Sequence, residues 1–188
     1  MLRFIQESQF RQPHWREVWQ YASSLCGLNL NSNAVERLCR AHLQQYVSEC
    51  KVAPYSLPVL EALQKAKIPL GLVSNVTGPV DIFDLDLRKK GLAAFFQVVA
   101  WSNAVGYRKP DARIFQAALD KLGLPAGKQI FMIGDHEQAD ISGGKQMGFT
   151  TIKVVDSKKK EESAADYVIA SHYFLEFIQE LLKKREAG

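Results

Sequence analysis

A chain of 188 residues, 47% hydrophobic and 23% charged, has the size and balance of one globular domain, with room for a small insertion and a real core. Its net charge of +4 is mild, and its densest basic run, Lys158-Lys159-Lys160, meets Glu161-Glu162 at once, so it reads as solvated loop rather than nucleic-acid surface. No apolar run nears the ~18 residues of a membrane span, and MLRFIQESQFRQ lacks the apolar centre of a signal peptide, which leaves a cytoplasmic protein as the expectation.

The first fifty residues carry helical periodicity and no strand pattern. Trp15, Val18, Trp19 and Ala22 fall on one helical face. Val35, Leu38, Cys39, His42 and Leu43 repeat the spacing, with Asn33 as the predicted N-cap and Glu36 three residues on to close a capping box. His42 is expected as a satisfied core histidine. Cys26, Cys39 and Cys50 are odd in number and form no CxxC pair. Cys26 and Cys39 are expected as buried thiols in a reducing compartment.

The character changes near Pro54, and residues 1–53 read as a helical region apart from 54–188. Pro58 opens a helix through Lys67, and LGLVS follows as a strand. Pro79 opens a helix that stops at Gly91, and Phe96 to Ala100 reads as the next strand. Ile114 to Leu122 is helical and ends at Gly123; Ile130 to Ile133 is a short strand. Ile141 to Met147 is helical, Thr151 to Val155 and Tyr167 to Ile169 are strands, and a last helix runs from Tyr173 to Lys184. Apolar strands alternating with helices predict an α/β fold, a Rossmann-like parallel sheet covered on both faces. Ligands in such sheets collect beyond the strands' carboxyl ends.

Three clusters fall at such ends. Ser74-Asn75, followed by Thr77-Gly78, offers a hydroxyl, an amide and turn N–H groups to an anion, and serves equally well as a capped turn. In Gly106-Tyr107-Arg108-Lys109-Pro110-Asp111, Pro110 biases Lys109 to extended backbone, from which its ammonium can enter a cleft, although taken singly it reads rather as an exposed loop lysine. In FMIGDHEQADISGGKQMGF, Gly134 turns the chain off a strand, Asp135 stands at its tip and Asp140 opens the next helix. Two carboxylates there repel unless a cation or proton lies between them, and Mg²⁺ suits such oxygen donors; the alternative is an N-capping Asp140 beside a loop Asp135. His136 is read as loop.

Taken in order, LVSN, GYRKPDARIFQAAL and IGDHEQADISGGKQMGF closely resemble the haloacid dehalogenase (HAD) superfamily of hydrolases, from Pro54 to about Ile178. The branch it resembles has a helical cap inserted early, which the first fifty residues fit. The resemblance implies that Ser74, with Asn75 beside it, binds the transferring phosphoryl group and that Lys109 offsets its charge. It also implies that Asp135 and Asp140 serve Mg²⁺, the first directly and the second often through water. Dehalogenases proper lack the Gly-Asp-x-x-x-x-Asp pattern, so the pair favours small phosphate esters over carbon–halogen bonds.

One part of that pattern is missing. The family's nucleophile lies in an Asp-x-Asp segment on the first strand, ahead of the cap, and the first Asp of this chain is Asp81. IFDLDLRKKG imitates the segment, but Pro79, Gly91 and the spacing of Val80, Phe83 and Leu87 mark a helix, which turns Asp84 and Asp86 roughly 200° apart. The expectation is a chain inactive by itself, starting just past the lost strand. The alternatives are a silent phosphate- and Mg²⁺-binding scaffold, or a half-enzyme completed by a partner's strand. Losing a central strand exposes two inner edges. Direct closure of Leu70–Ser74 on Ile130–Gly134 is expected slightly ahead of filling by Leu2 to Gln6 or by another copy at an open sheet edge.

Overall fold

The computed structural model describes residues 10–156 and 162–187. Two helices, α1 (Trp15–Leu25) and α2 (Ser32–Glu49), form the N-terminal layer. Asn31, not Asn33, caps α2, its Oδ1 accepting from Ala34 N at 2.9 Å, because that places the acceptor under the third helical N–H. No capping box forms: Glu36 is taken by Arg16 at 2.7 Å and Arg40 at 3.1 Å. The buried stripe of α2 is Val35, Cys39 and Leu43. His42 lies one step off it, exposed, with its ring 5.2 Å from that of Trp19, so it is no core histidine. Cys26 falls past the last turn of α1 and is exposed; Cys39 is buried as expected.

Trp15, Cys39 and Leu43 pack on Ile82 of α4 (Val80–Lys89), which joins this layer to the rest. A Cβ at residue 78 would overlap Leu43, so Gly78 is what lets the β1–α4 turn meet α2 so closely. The carboxylates of α4 part as expected. Asp84 accepts from Trp101 Nε1 at 2.7 Å, and Asp86 pairs with Lys90 at 2.7 Å.

The remaining elements alternate. After α3 (Ser56–Lys65) come β1 (Gly71–Ser74), α4, β2 (Val98–Trp101), a short α5 (Ser102–Val105), α6 (Ala112–Leu122) and β3 (Phe131–Gly134). A π-helical turn, Glu137–Ser142, leads to α7 (Gly143–Gln146), β4 (Thr150–Val155), β5 (Tyr167–Ala170) and α8 (Phe174–Ala187). Every ladder is parallel. On one face Ile114, Phe115, Ala118 and Leu119 of α6 pack on Val98 and Ala100; on the other, Val59 and Leu63 of α3 join Phe174 and Ile178 of α8 over Ile152 and Val154. This is the predicted α/β architecture.

The strands form two sheets, β1–β2 and β3–β4–β5, and β1 does not pair with β3. Direct closure, the favoured expectation, is overturned. Each strand is committed elsewhere. Val73 and Met132 both join the α6 cluster, Leu70 and Ile133 both join the α3–α8 cluster, and the tight seat of Gly144 on Met132 and Thr151 fixes α7 to β3 and β4. Shared helices on both faces thus hold β1 and β3 in place with no ladder between them. The inner strands are consequently only half-buried, with Phe131 46% exposed, whereas Thr151 to Val154 are all buried. Among the described residues no strand pairs with the free edges of β1 and β3. The alternative filler, Leu2 to Gln6, lies outside the described residues.

Candidate functional site

Ser74 ends β1, Asn75 follows it, and Asp135 and Asp140 follow β3, so these four residues lie at the carboxyl ends of the two strands that do not pair with each other. Lys109 reaches them from the loop after α5. Its backbone is clamped: Asn75 Oδ1 accepts from Lys109 N at 2.8 Å while Asn75 Nδ2 donates to Lys109 O at 3.1 Å. The Lys109–Pro110 peptide is cis, and Pro110 is buried. The Lys109 ammonium then crosses to β3 and meets Asp140 Oδ1 at 2.6 Å, with the two side chains 12% and 5% exposed.

Asp140 sits in the π-helical turn rather than on a regular helix. Its second oxygen, Oδ2, accepts from His136 N at 3.1 Å, so both carboxylate oxygens are engaged. A Cβ at residue 134 would collide with this carboxylate, which is the reason for glycine at the end of β3. His136 caps the turn, its Nδ1 accepting from Ala139 N at 3.1 Å, and is exposed. That matches its reading as loop.

Two of the predicted site residues have no partner among the described residues: Ser74 Oγ makes no hydrogen bond with them, and the exposed Asp135 carboxylate makes neither a hydrogen bond nor an ion pair with them. Asp135 acts instead through its field on Tyr55, whose phenol is raised chiefly by burial and further by the Asp135 charge. Tyr55 packs edge-on against Phe174 at 5.5 Å. Nothing in the local sequence marked it, because it arrives from the start of α3. Among the described residues no group of three or more His, Cys, Asp or Glu side chains is placed to cage a metal. The Asp135 carboxylate, exposed at the end of β3, is a hard oxygen donor of the kind that suits Mg²⁺ together with phosphate and water oxygens.

A second network braces the β1 loop. Ser102, fully buried, accepts from Val76 N at 2.9 Å and donates to Gln12 Oε1 at 2.7 Å. Arg108 Nη1 donates to that same Gln12 oxygen at 2.6 Å and to Thr77 Oγ1 at 3.1 Å. Gln12 stands 96 residues from Arg108, so no sequence window could have joined them.

Residues 7–154 match the family model for haloacid dehalogenase-like hydrolases. A pyrimidine 5'-nucleotidase of Escherichia coli (strain K12) is 27% identical over 142 residues, 74% of this chain and 62% of that protein. The crystal structure of a HAD phosphatase from Thermococcus onnurineus superposes with a TM-score of 0.66 at 26% identity, covering 94% of this chain and 78% of that one. A HAD hydrolase from Bacillus subtilis, solved bound to magnesium, shares the fold at 22% identity and a TM-score of 0.65, over 85% of this chain and 66% of that one. The chain spans about half to three-fifths of the length of the curated relatives it matches. With the family model running through β1, the Lys109 loop and the Asp135–Asp140 turn alike, this chain belongs to the haloacid dehalogenase-like hydrolase family.

Proposed function

We propose that the chain carries the phosphate- and cation-binding half of a phosphatase site for small phosphate esters. One observation carries this reading: a lysine clamped at its backbone by Asn75 and at its ammonium by Asp140 comes to the ends of β1 and β3, where Ser74 Oγ and Asp135 have no partner among the described residues. Ser74 and the turn N–H groups donate to phosphoryl oxygens, and Lys109 supplies a fixed positive charge that Asp140 holds in place without leaving a free anion to repel the ligand. Asp135 would hold Mg²⁺, which when bound neutralises phosphate charge. The phosphatase and nucleotidase relatives support the same chemistry.

Turnover needs a nucleophile in line with the leaving group. Asp140 has no free oxygen and Asp135 is assigned to the cation, so this chain by itself is expected to hydrolyse p-nitrophenyl phosphate at background. Titration calorimetry with orthophosphate and Mg²⁺ tests the reading. Phosphate binding that falls in Ser74→Ala and Lys109→Met, and Mg²⁺ binding that disappears in Asp135→Asn, support it. Turnover well above background that disappears in Asp135→Asn would overturn the division of roles.

The free edges favour one further reading, a half-enzyme completed in trans. A parallel strand carrying a carboxylate at its C-terminal end would pair with both β1 and β3 and deliver that carboxylate between Ser74 and Asp135.

A further inference from the structure

Among the described residues Arg108 has no counter-ion. It is half-buried, it makes no ion pair with any described residue, and burial alone holds its guanidinium below the usual arginine range. A cation in such a place is normally matched by a carboxylate, because desolvating an unpaired charge is expensive. Here Nη1 donates only to neutral oxygens, Gln12 Oε1 and Thr77 Oγ1. Among the described residues Nε and Nη2 have no acceptor, and neither nitrogen is wholly buried.

The placement is specific. Thr77 belongs to the turn that begins at Ser74, and Arg108 precedes the lysine that Asn75 clamps to that turn. The other support, Gln12, leads directly into α1, so the guanidinium sits where the β1 turn meets the N-terminal helical layer. Gln12 fixes Nη1 through an oxygen that Ser102 also engages, which sets the plane of the fork before any ligand arrives. A preorganised fork with free donors on one edge is built for an oxyanion held bidentately.

We propose that Arg108 is a specificity-determining residue that receives the second oxyanion, a carboxylate or a second phosphate, of a doubly anionic phosphate ester whose first phosphate lies at Ser74 and Lys109. This rests on the phosphate-site reading above and narrows its substrate class to small esters with two anionic groups.

The test compares affinities of the 188-residue chain in Mg²⁺ for orthophosphate, glycerol 3-phosphate, 3-phosphoglycerate and propane-1,3-diol bisphosphate. One or both of the doubly anionic ligands should bind roughly tenfold or more tightly than glycerol 3-phosphate. Which of them does so separates a carboxylate from a second phosphate as the natural group. Arg108→Gln should erase that preference, lowering affinity for the doubly anionic ligand by far more than for orthophosphate; Arg108→Lys, which keeps the charge but loses the fork, should reduce it. If orthophosphate fails to bind the wild-type chain, the phosphate site and this inference fall together. If orthophosphate binds but no preference exists, or the preference survives Arg108→Gln, the inference alone is overturned. A uniform loss for every ligand in Arg108→Gln marks a merely structural brace and also overturns it. Should Arg108→Gln not fold, a wild-type preference in Arg108→Lys overturns it in the same way.

Discussion

Asn75 and Lys109 exchange two hydrogen bonds, side chain to backbone in both directions, at 2.8 and 3.1 Å. The pair locks the loop that delivers the ammonium to the turn that ends β1. Asn75 is thus a positioning residue, and it acts on charge it does not itself carry.

Asn75→Ala removes both bonds and leaves a part-buried N–H and C=O of Lys109 to find water. A stability loss of about 1–3 kcal/mol is expected, together with weaker orthophosphate binding, because the ammonium no longer approaches from a fixed backbone. Asn75→Asp keeps the acceptor for Lys109 N but turns a carboxylate oxygen on Lys109 O, so it should lose affinity as well. Denaturant melts beside calorimetry check both; unchanged phosphate affinity in Asn75→Ala would refute the clamp.

Asp135 and Asp140 carry the same chemical group and should fail differently. Asp140→Asn keeps an acceptor for His136 N but strands the ammonium of Lys109, which is 12% exposed, without its counter-charge. Roughly 2–4 kcal/mol of stability should be lost. Asp135→Asn touches an exposed side chain with no described partner, so stability should stay within about 0.5 kcal/mol while Mg²⁺ affinity collapses. Paired unfolding curves and Mg²⁺ titrations distinguish the two, and equal destabilisation would contradict the assignment.

Much of this site was legible before the fold was known, for a physical reason. Gly134, Asp135 and Asp140 lie within one turn, and Pro110 acts on the residue beside it, so their geometry is set by short-range backbone chemistry. The errors came where distant residues decide. Glu36 looked like the closing residue of a capping box, yet Arg16 and Arg40 won it. His42 sits at a periodic position, but the partner surface of α2 is narrower than its apolar stripe, so only Val35, Cys39 and Leu43 are buried. Asp140 could be placed near a strand end from its spacing, but its engagement by Lys109 depends on a contact 31 residues away. The separation of β1 from β3 was invisible for the same reason, since helices from three parts of the chain hold them.

Asp166 gives a pH signature remote from the candidate site. Its carboxylate accepts from Thr151 N and Thr151 Oγ1, both at 2.8 Å, and from Lys145 at 3.0 Å. The Thr151 backbone N–H, then Lys145 and the Thr151 hydroxyl, hold it down from 3.8 to about 2. A depressed carboxylate contributes stability that is complete above its unfolded value and is lost as pH falls through the folded one. Asp166→Asn should therefore melt below wild type near neutral pH, and the difference should shrink between about pH 4 and pH 2. The side chain is 41% exposed, so solvent screening keeps the effect modest. A melting difference constant across that range would show that the charge contributes nothing.

The last prediction concerns the unpaired edges. In a parallel ladder each strand directs alternate N–H groups to its two sides. β4 is paired by β3 across Thr150–Lys153 and by β5 across Ile152–Val155, so its donors at Ile152 and Lys153, where the two ladders overlap, should both be protected from exchange. Among the described residues β1 is paired only by β2 and β3 only by β4. Their donors should therefore split, with alternate amides across residues 71–74 and 131–134 exchanging fast and the others slowly. The half-buried state of both strands points the same way, since water must reach an amide for exchange to occur from the native state. Residue-resolved hydrogen exchange by NMR reads the pattern directly. Uniform protection along β1 and β3 would mean that the inner edges are covered in solution, and the picture of two separate sheets flanking the site would be wrong. Alternate protection that becomes uniform when an apolar peptide strand ending in Asp is added, and stays alternate with a proline-interrupted control, would identify the slot as a receptor for a parallel strand.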